Sequence, residues 1–261
     1  MNLIDQNKLA WDQKVAVHVE SKMYDHSSFL KGRNSLPLID QELLGDINGL
    51  SVCHLQCHFG QDTISMSRMG AKATGVDFSQ EAVEFGSRTA MDLGLDTRFV
   101  HSDVYSISEK LSEPFDIVYT SYGALCWLDR LDLWAREIDR ILKPGGKLII
   151  VEFHPFIYTY DNSLQKLEYD YFQSDAIIEQ ELGTYADRED KNQYTMATWN
   201  HGLGEIFSSL NNVGLRIVDF KEYDYSPYNC FENMVEHLPG RFSFGHIKIR
   251  IPMMYSLQCK K

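Results

Sequence analysis

The sequence predicts a doubly wound α/β fold built on a mostly parallel, seven-stranded sheet. Two observations carry that reading. From residue 50 onward, short apolar runs alternate with segments of helical period, a pattern that implies right-handed βαβ crossovers and helices on both sheet faces. The ends of the first three runs carry Gly60, Asp77 and Asp103, residue types suited to a nucleotide-like ligand at the strand ends.

The first 45 residues read as a helical stretch over 4–19 followed by the aromatic-bearing MYDHSSFLKG. LSVCHLQC is the first strand, and QDTISMSRMG is a helix stopped by Gly70. AKATGVDF is the second strand; SQEAVEFGSRTAMDLG follows as a helix capped by Ser79 and ended near Gly94. TRFVHSDV and FDIVYTSYG are the third and fourth strands. The helix LDRLDLWAREIDRIL ends at KPGG, where Pro144 and the glycines block continuation, and KLIIVEFHPF is the fifth strand. Residues 155–200 break the rhythm with many aromatics, among them Tyr158, Tyr169, Tyr185 and Trp199. The helix HGLGEIFSSLNNVG and the strands LRIVDFKEYDY and IRIPMMYSLQC close the chain as a late antiparallel pair.

Composition narrows the function. A net charge of −12 and a pI near 5.2 argue against a nucleic-acid surface. No run approaches the length of a membrane helix, and the N-terminus lacks a secretory pattern. Five cysteines, an odd number, then point to free thiols and a cytoplasmic protein.

CHLQCHFGQD, from Cys53, places two cysteines and two histidines within six residues. Haem attachment would need Cys-x-x-Cys-His, and zinc a second ligand pair; neither is present, so no metal is expected and the cysteines read as small core residues. Position suggests a different role. The stretch lies between a strand and a helix, with Asp77 seventeen residues after Gly60, where ribose hydroxyls would be bound.

With GVDFS, HSDVY, FDIVYTSYG and LKPGG following in order, the chain resembles the class I S-adenosylmethionine-dependent methyltransferases over about residues 50–154. That family's first loop reads acidic-x-Gly-x-Gly-x-Gly; here His54, Gln56, His58 and Gly60 hold those positions, in the LQCHFG form of a bacterial subgroup. The resemblance implies a Rossmann-like methyltransferase fold and S-adenosylmethionine as cofactor. It implies that Gln56 and His58 meet the amino-acid moiety beside Gly60, and that Asp77 takes the ribose hydroxyls. Phe78 would pack on the adenine, Asp103 and Val104 would hold its edge, and Ser121 would follow the fourth strand beside the methyl group. Tyr24, Tyr122 and Trp127 would face the acceptor.

Methyl transfer from a sulfonium needs alignment and desolvation rather than a protein nucleophile. A protic acceptor also needs a base, and His154 in EFHPF is the first candidate, with His58 the second. Residues 1–45 would form a helical lid, 46–154 the cofactor-binding core, 155–200 an acceptor-side insert and 201–261 the closing helix and strands, all in one domain. The insert's aromatics would alternatively serve a homodimer contact. TSYG replaces the Asn/Asp-Pro-Pro-aromatic signature of nucleobase amine methylation, which directs the expectation to a small-molecule acceptor. A nicotinamide-dependent oxidoreductase would need Gly-x-Gly-x-x-Gly, which is missing; a catalytically silent cofactor-binding protein is the other rival.

Overall fold

The structure, a computed structural model, describes residues 2–161, 163–172 and 175–261. Residues 162, 173 and 174 of the aromatic-rich insert lie outside the described residues. Three helices come first: α1 (Leu3–Glu20), α2 (His26–Leu30) and α3 (Leu38–Leu44). The alternating part follows as β1 (Ser51–Leu55), α4 (Gln61–Arg68), β2 (Lys72–Asp77), α5 (Gln80–Asp92), β3 (Arg98–His101) and β4 (Phe115–Ser121). Then come α6 (Leu131–Ile141) and β5 (Leu142–Phe153). The insert folds into a hairpin, β6 (Ile177–Leu182) against β7 (Gln193–Thr198). The chain continues through α7 (Leu203–Asn212), β8 (Arg216–Tyr223), the small hairpin β9 (Met234–Leu238) and β10 (Arg241–Phe244), and ends in β11 (Met254–Lys260).

Seven strands form one sheet in the order β3-β2-β1-β4-β5-β11-β8. The first five neighbours pair parallel, and β11 pairs antiparallel with both β5 and β8. β8 therefore runs with the first five strands, because α7 carries the chain back across the sheet before it, and β11 alone is reversed. The predicted late pair is antiparallel within itself.

Strand parity divides the core. Cys53, Leu55, Val118, Ile150 and Tyr255 pack on one face against Trp134 and Ile138 of α6 and Ile206 of α7. Val52, Tyr119, Ile149, Val151 and Met254 pack on the other against Ile39 and Leu44 of α3 and Met66 of α4. The N-terminal segment also packs in smaller clusters, in one of which Phe29 is fully buried against Ile64 and Ala90. Ser79 caps α5 as its spacing predicts, its side chain accepting from the Ala82 N–H.

Candidate functional site

Parallel strands end on one side of the sheet, and a cleft of about 700 Å³ opens there. Its floor is the β1–α4 loop. Gln56, His58 and Gly60 all have positive φ, at 53°, 51° and 81°. Those are the alternate positions at which the family that the sequence resembles carries glycine, and a left-handed backbone suits glycine there. Gln56 and His58 keep that backbone at the cost of a Cβ in the left-handed region, on the order of 1–2 kcal/mol each. Gly60 is fixed more strictly, since a Cβ there would lie 2.2 Å from Cε1 of Phe99. The acidic position is held by His54, which is buried, bonded through Nδ1 to Thr63 Oγ1 at 2.9 Å, and pushed down to about 3 by burial.

Asp77 ends β2 beneath this loop. Its Oδ2 accepts from the His58 N–H at 2.7 Å and its Oδ1 from the Ser79 N–H at 2.9 Å. Burial raises its pKa to about 6, despite those two donors. Each carboxylate oxygen keeps a second lone pair for a ligand hydroxyl. Phe78 and Val104 also line the cleft, and exposed Asp103 does so while accepting from the Tyr105 N–H at 2.9 Å.

Two buried atoms on the loop lack partners: Gln56 Oε1 and His58 Nδ1. Gln56 Nε2 donates to Ala124 O at 2.7 Å, while His58 Nε2 lies 2.9 Å from His18 Nδ1. Both rings stay neutral, with His18 pushed down to about 2 and His58 to about 3, burial being the main cause in each. Unpaired buried polar atoms cost about 1–3 kcal/mol each, so the loop is built for a polar ligand.

Ser121, Tyr122 and Trp127 line the cleft beyond β4, and Tyr24 lines it from the N-terminal side. Tyr122 has φ 51° and donates its hydroxyl to Asp40, which also accepts from Tyr119 at 2.6 Å. Tyr24 pairs its hydroxyl with that of Tyr185 at 2.6 Å, and Trp127 meets Trp11 edge-on at 5.3 Å. The sequence-predicted cofactor and acceptor residues therefore share one cleft.

His154 does not. It follows Phe153, which lines the cleft, and alternation turns it to the opposite face beside Tyr255. Its Nδ1 accepts from the Phe156 N–H at 3.1 Å and its Nε2 lies 3.1 Å from Glu222 Oε1. The expectation that His154 serves as the base is corrected accordingly. Among the described residues no group of three or more His, Cys, Asp or Glu is arranged to hold a metal ion, and Cys53 and Cys57 are both buried.

Lys14 and Arg33 were not singled out from the sequence, and Glu152, read as a strand residue with a satisfied hydrogen bond, lies just behind the cleft. Lys14 of α1 is 1% exposed on the cleft wall, with Nζ 2.8 Å from Met196 Sδ and 3.7 Å from Glu181 Oε2. Arg33 reaches the cleft beside the loop, with Nη2 donating to Gln61 Oε1 at 3.3 Å and Nε buried without a partner. Glu152, raised to about 8 by burial, accepts from the Gly123 N–H at 2.6 Å and so shapes the turn after β4. The spacing of Asn7, Trp11, Lys14 and His18 along one helical face was a usable signal for Lys14. Arg33 had none, because its role depends on chain folded around it.

Strand order, reversed last strand and a ligand-ready loop over Asp77 define the class I methyltransferase fold. Residues 52–146 match the methyltransferase domain family, in agreement with the fold of that stretch. It is 30% identical over 128 residues to demethylmenaquinone methyltransferase of Lactococcus lactis, covering 47% of this chain and 50% of that one. The chain thus spans about half the length of this curated relative. A candidate S-adenosylmethionine-dependent methyltransferase from Listeria monocytogenes superposes with a TM-score of 0.62 at 19% identity, over 85% of this chain and 94% of that one. Geranyl diphosphate C-methyltransferase from Streptomyces coelicolor, solved with S-adenosylhomocysteine, gives 0.60 at 12% identity, over 100% and 98%. At such identities the structures establish the fold. Among the described residues, no helix is long and apolar enough to cross a membrane.

Proposed function

We propose that this chain transfers a methyl group from S-adenosylmethionine to a small-molecule acceptor. The observation that carries the reading is the left-handed loop of Gln56, His58 and Gly60 standing over the Asp77 carboxylate at the cleft floor. S-adenosylmethionine supplies a methyl group already activated by its sulfonium. The chain's residues bind, orient and exclude water. Asp77 accepts the ribose hydroxyls, Phe78 packs on the adenine, and Asp103 with the Val104 N–H holds its edge. Unpartnered Gln56 Oε1 and Arg33 Nε suit the ammonium and the carboxylate of the amino-acid moiety. Ser121 and Tyr122 border the place where methyl and acceptor meet, and Tyr24 and Trp127 close it.

His154 lies away from the cleft, and no residue is assigned as acceptor base in its place. His58 lines the cleft with Nδ1 unpartnered, and burial holds its ring neutral, which suits a hydrogen bond to the cofactor's amino-acid moiety rather than the uptake of a proton. We assign residues 1–45 to a lid and residues 155–200 to the acceptor wall. A walled cleft of this size favours a small acceptor over a nucleic acid.

Titration calorimetry tests the cofactor. S-adenosylhomocysteine should bind and NAD should not, and Asp77→Asn should weaken the former by about 1.5–3 kcal/mol, the range for lost hydrogen bonds to a charged group. Unchanged affinity in a folded variant would remove Asp77 from the site. Turnover on a panel of small phenols, acids and amines then separates an enzyme from a silent binder.

A further inference from the structure

α1 buries polar side chains where a packing helix would carry apolar ones. Asn7 and His18 are 0% exposed and Lys14 1%, all on one face. Their partners lie on two different walls of the cleft. On the cofactor side, His18 meets His58 at 2.9 Å, and Asp12 Oδ1 accepts from Ser79 Oγ at 2.6 Å, two residues beyond Asp77. On the insert side, the Asn7 amide donates to Ala197 O at 2.7 Å and accepts from the Ala197 N–H at 2.8 Å, occupying the free edge of β7. Lys14 adds Met196 and Glu181 of the same hairpin.

Two further facts make this bridge responsive. A helix in a folded protein draws most of its stability from tertiary contacts, so these links largely decide whether α1 is docked. His18 Nε2 and His58 Nδ1, the outer nitrogens of the imidazole pair, are buried without partners. Two neutral imidazoles sharing one hydrogen bond leave one outer nitrogen protonated and the other bare. A ligand group that satisfies the His58 end therefore fixes the tautomer of both rings and strengthens the docking of α1.

Resting on the cofactor reading above, we propose that α1 couples the two halves of the site. Cofactor binding at the loop firms the docking of α1, and Asn7 and Lys14 then hold the β6–β7 hairpin as a defined acceptor wall. Asn7, Lys14 and His18 are positioning residues in this scheme. By linkage, acceptor binding tightens the cofactor in return.

The test is hydrogen exchange by mass spectrometry on the full chain, with and without saturating S-adenosylhomocysteine. In the wild type the ligand should slow exchange in α1 and in β7 by about tenfold, an ordinary size for coupling between sites. In Asn7→Ala, the ligand should still bind and still slow residues 51–60, while its effect on β7 disappears. A merely structural Asn7 would raise β7 exchange equally in both states, leaving the ligand-induced slowing intact; that result overturns the proposal. Unchanged β7 exchange in the ligand-bound wild type overturns it too. Lys14→Met provides the same comparison if Asn7→Ala does not fold. A wild type that gives no heat with S-adenosylhomocysteine sinks the cofactor reading and this proposal together, whereas normal binding without β7 protection sinks the proposal alone.

Discussion

Phe99 shows how one side chain sets the glycine pattern. Its ring fills the space a Cβ would need at Gly60, Gly75 and Gly86, so loop, strand and helix can close together there. Gly60 carries the added demand of φ 81°. Gly60→Ala should therefore cost about 2–4 kcal/mol, combining overpacking with left-handed strain. Adding Phe99→Leu should recover part of that loss, because it frees room while leaving the backbone strain. Urea denaturation of the single and double variants checks this, and a Gly60→Ala protein of normal stability would show that the loop does not hold this conformation. Gln56 and His58 make the complementary point. Their φ values match glycine positions although their side chains are large, so a loop search for glycine alone overlooks them.

α1 is held largely by polar contacts, whereas the sheet does not depend on it. The two principal core clusters contain no buried residue before Leu36, and the helix contributes only small satellite contacts through Ala10 and Val15. Phe29 is different: it is fully buried against α4 and α5. A chain lacking residues 1–20 should keep a cooperative melt at reduced temperature and bind S-adenosylhomocysteine more weakly. A deletion extended through Phe29 should destabilise the protein by a further 3–5 kcal/mol or so, the usual cost of removing a buried phenylalanine. Thermal melting with cofactor titration distinguishes the two truncations. Loss of a cooperative melt in the shorter deletion would mean that α1 is part of the core.

The whole molecule carries two opposing sets of buried titratable groups. Asp77, Asp40 and Glu152 are raised by burial to about 6, 7 and 8, so the folded chain holds protons that the unfolded chain has released. Their contribution to stability is present at low pH and is lost as pH rises through those values. His18, His54 and His58 are lowered to about 2, 3 and 3, so the unfolded chain takes up protons first, and stability is lost as pH falls below about 6.5. The two sets offset each other near pH 5–6. Above pH 6.5 the histidine contribution is complete, and Asp40 and Glu152 still titrate. The melting temperature should therefore peak on the acid side of neutrality and fall toward pH 8. Glu152→Gln should flatten that alkaline arm, as a pH series of melting curves would reveal. An unchanged slope between pH 6.5 and 8 would mean that Glu152 is ionised without cost.

The sequence by itself determined the sheet, the order of its loops and several of the residues that line the cleft. Those features rest on local regularities: strand and helix periods, a cap at Ser79, and the spacing from Gly60 to Asp77. What faces what across the cleft was decided only by the tertiary structure. His154 stands next to a lining residue in the chain, yet strand alternation turns it to the opposite face. Lys14 and Glu181, or Tyr24 and Tyr185, meet across more than 160 residues. No local pattern encodes such pairs. They arise because α1 and the β6–β7 hairpin dock on the same open end of the sheet, where buried polar atoms must find partners in one another or in a ligand.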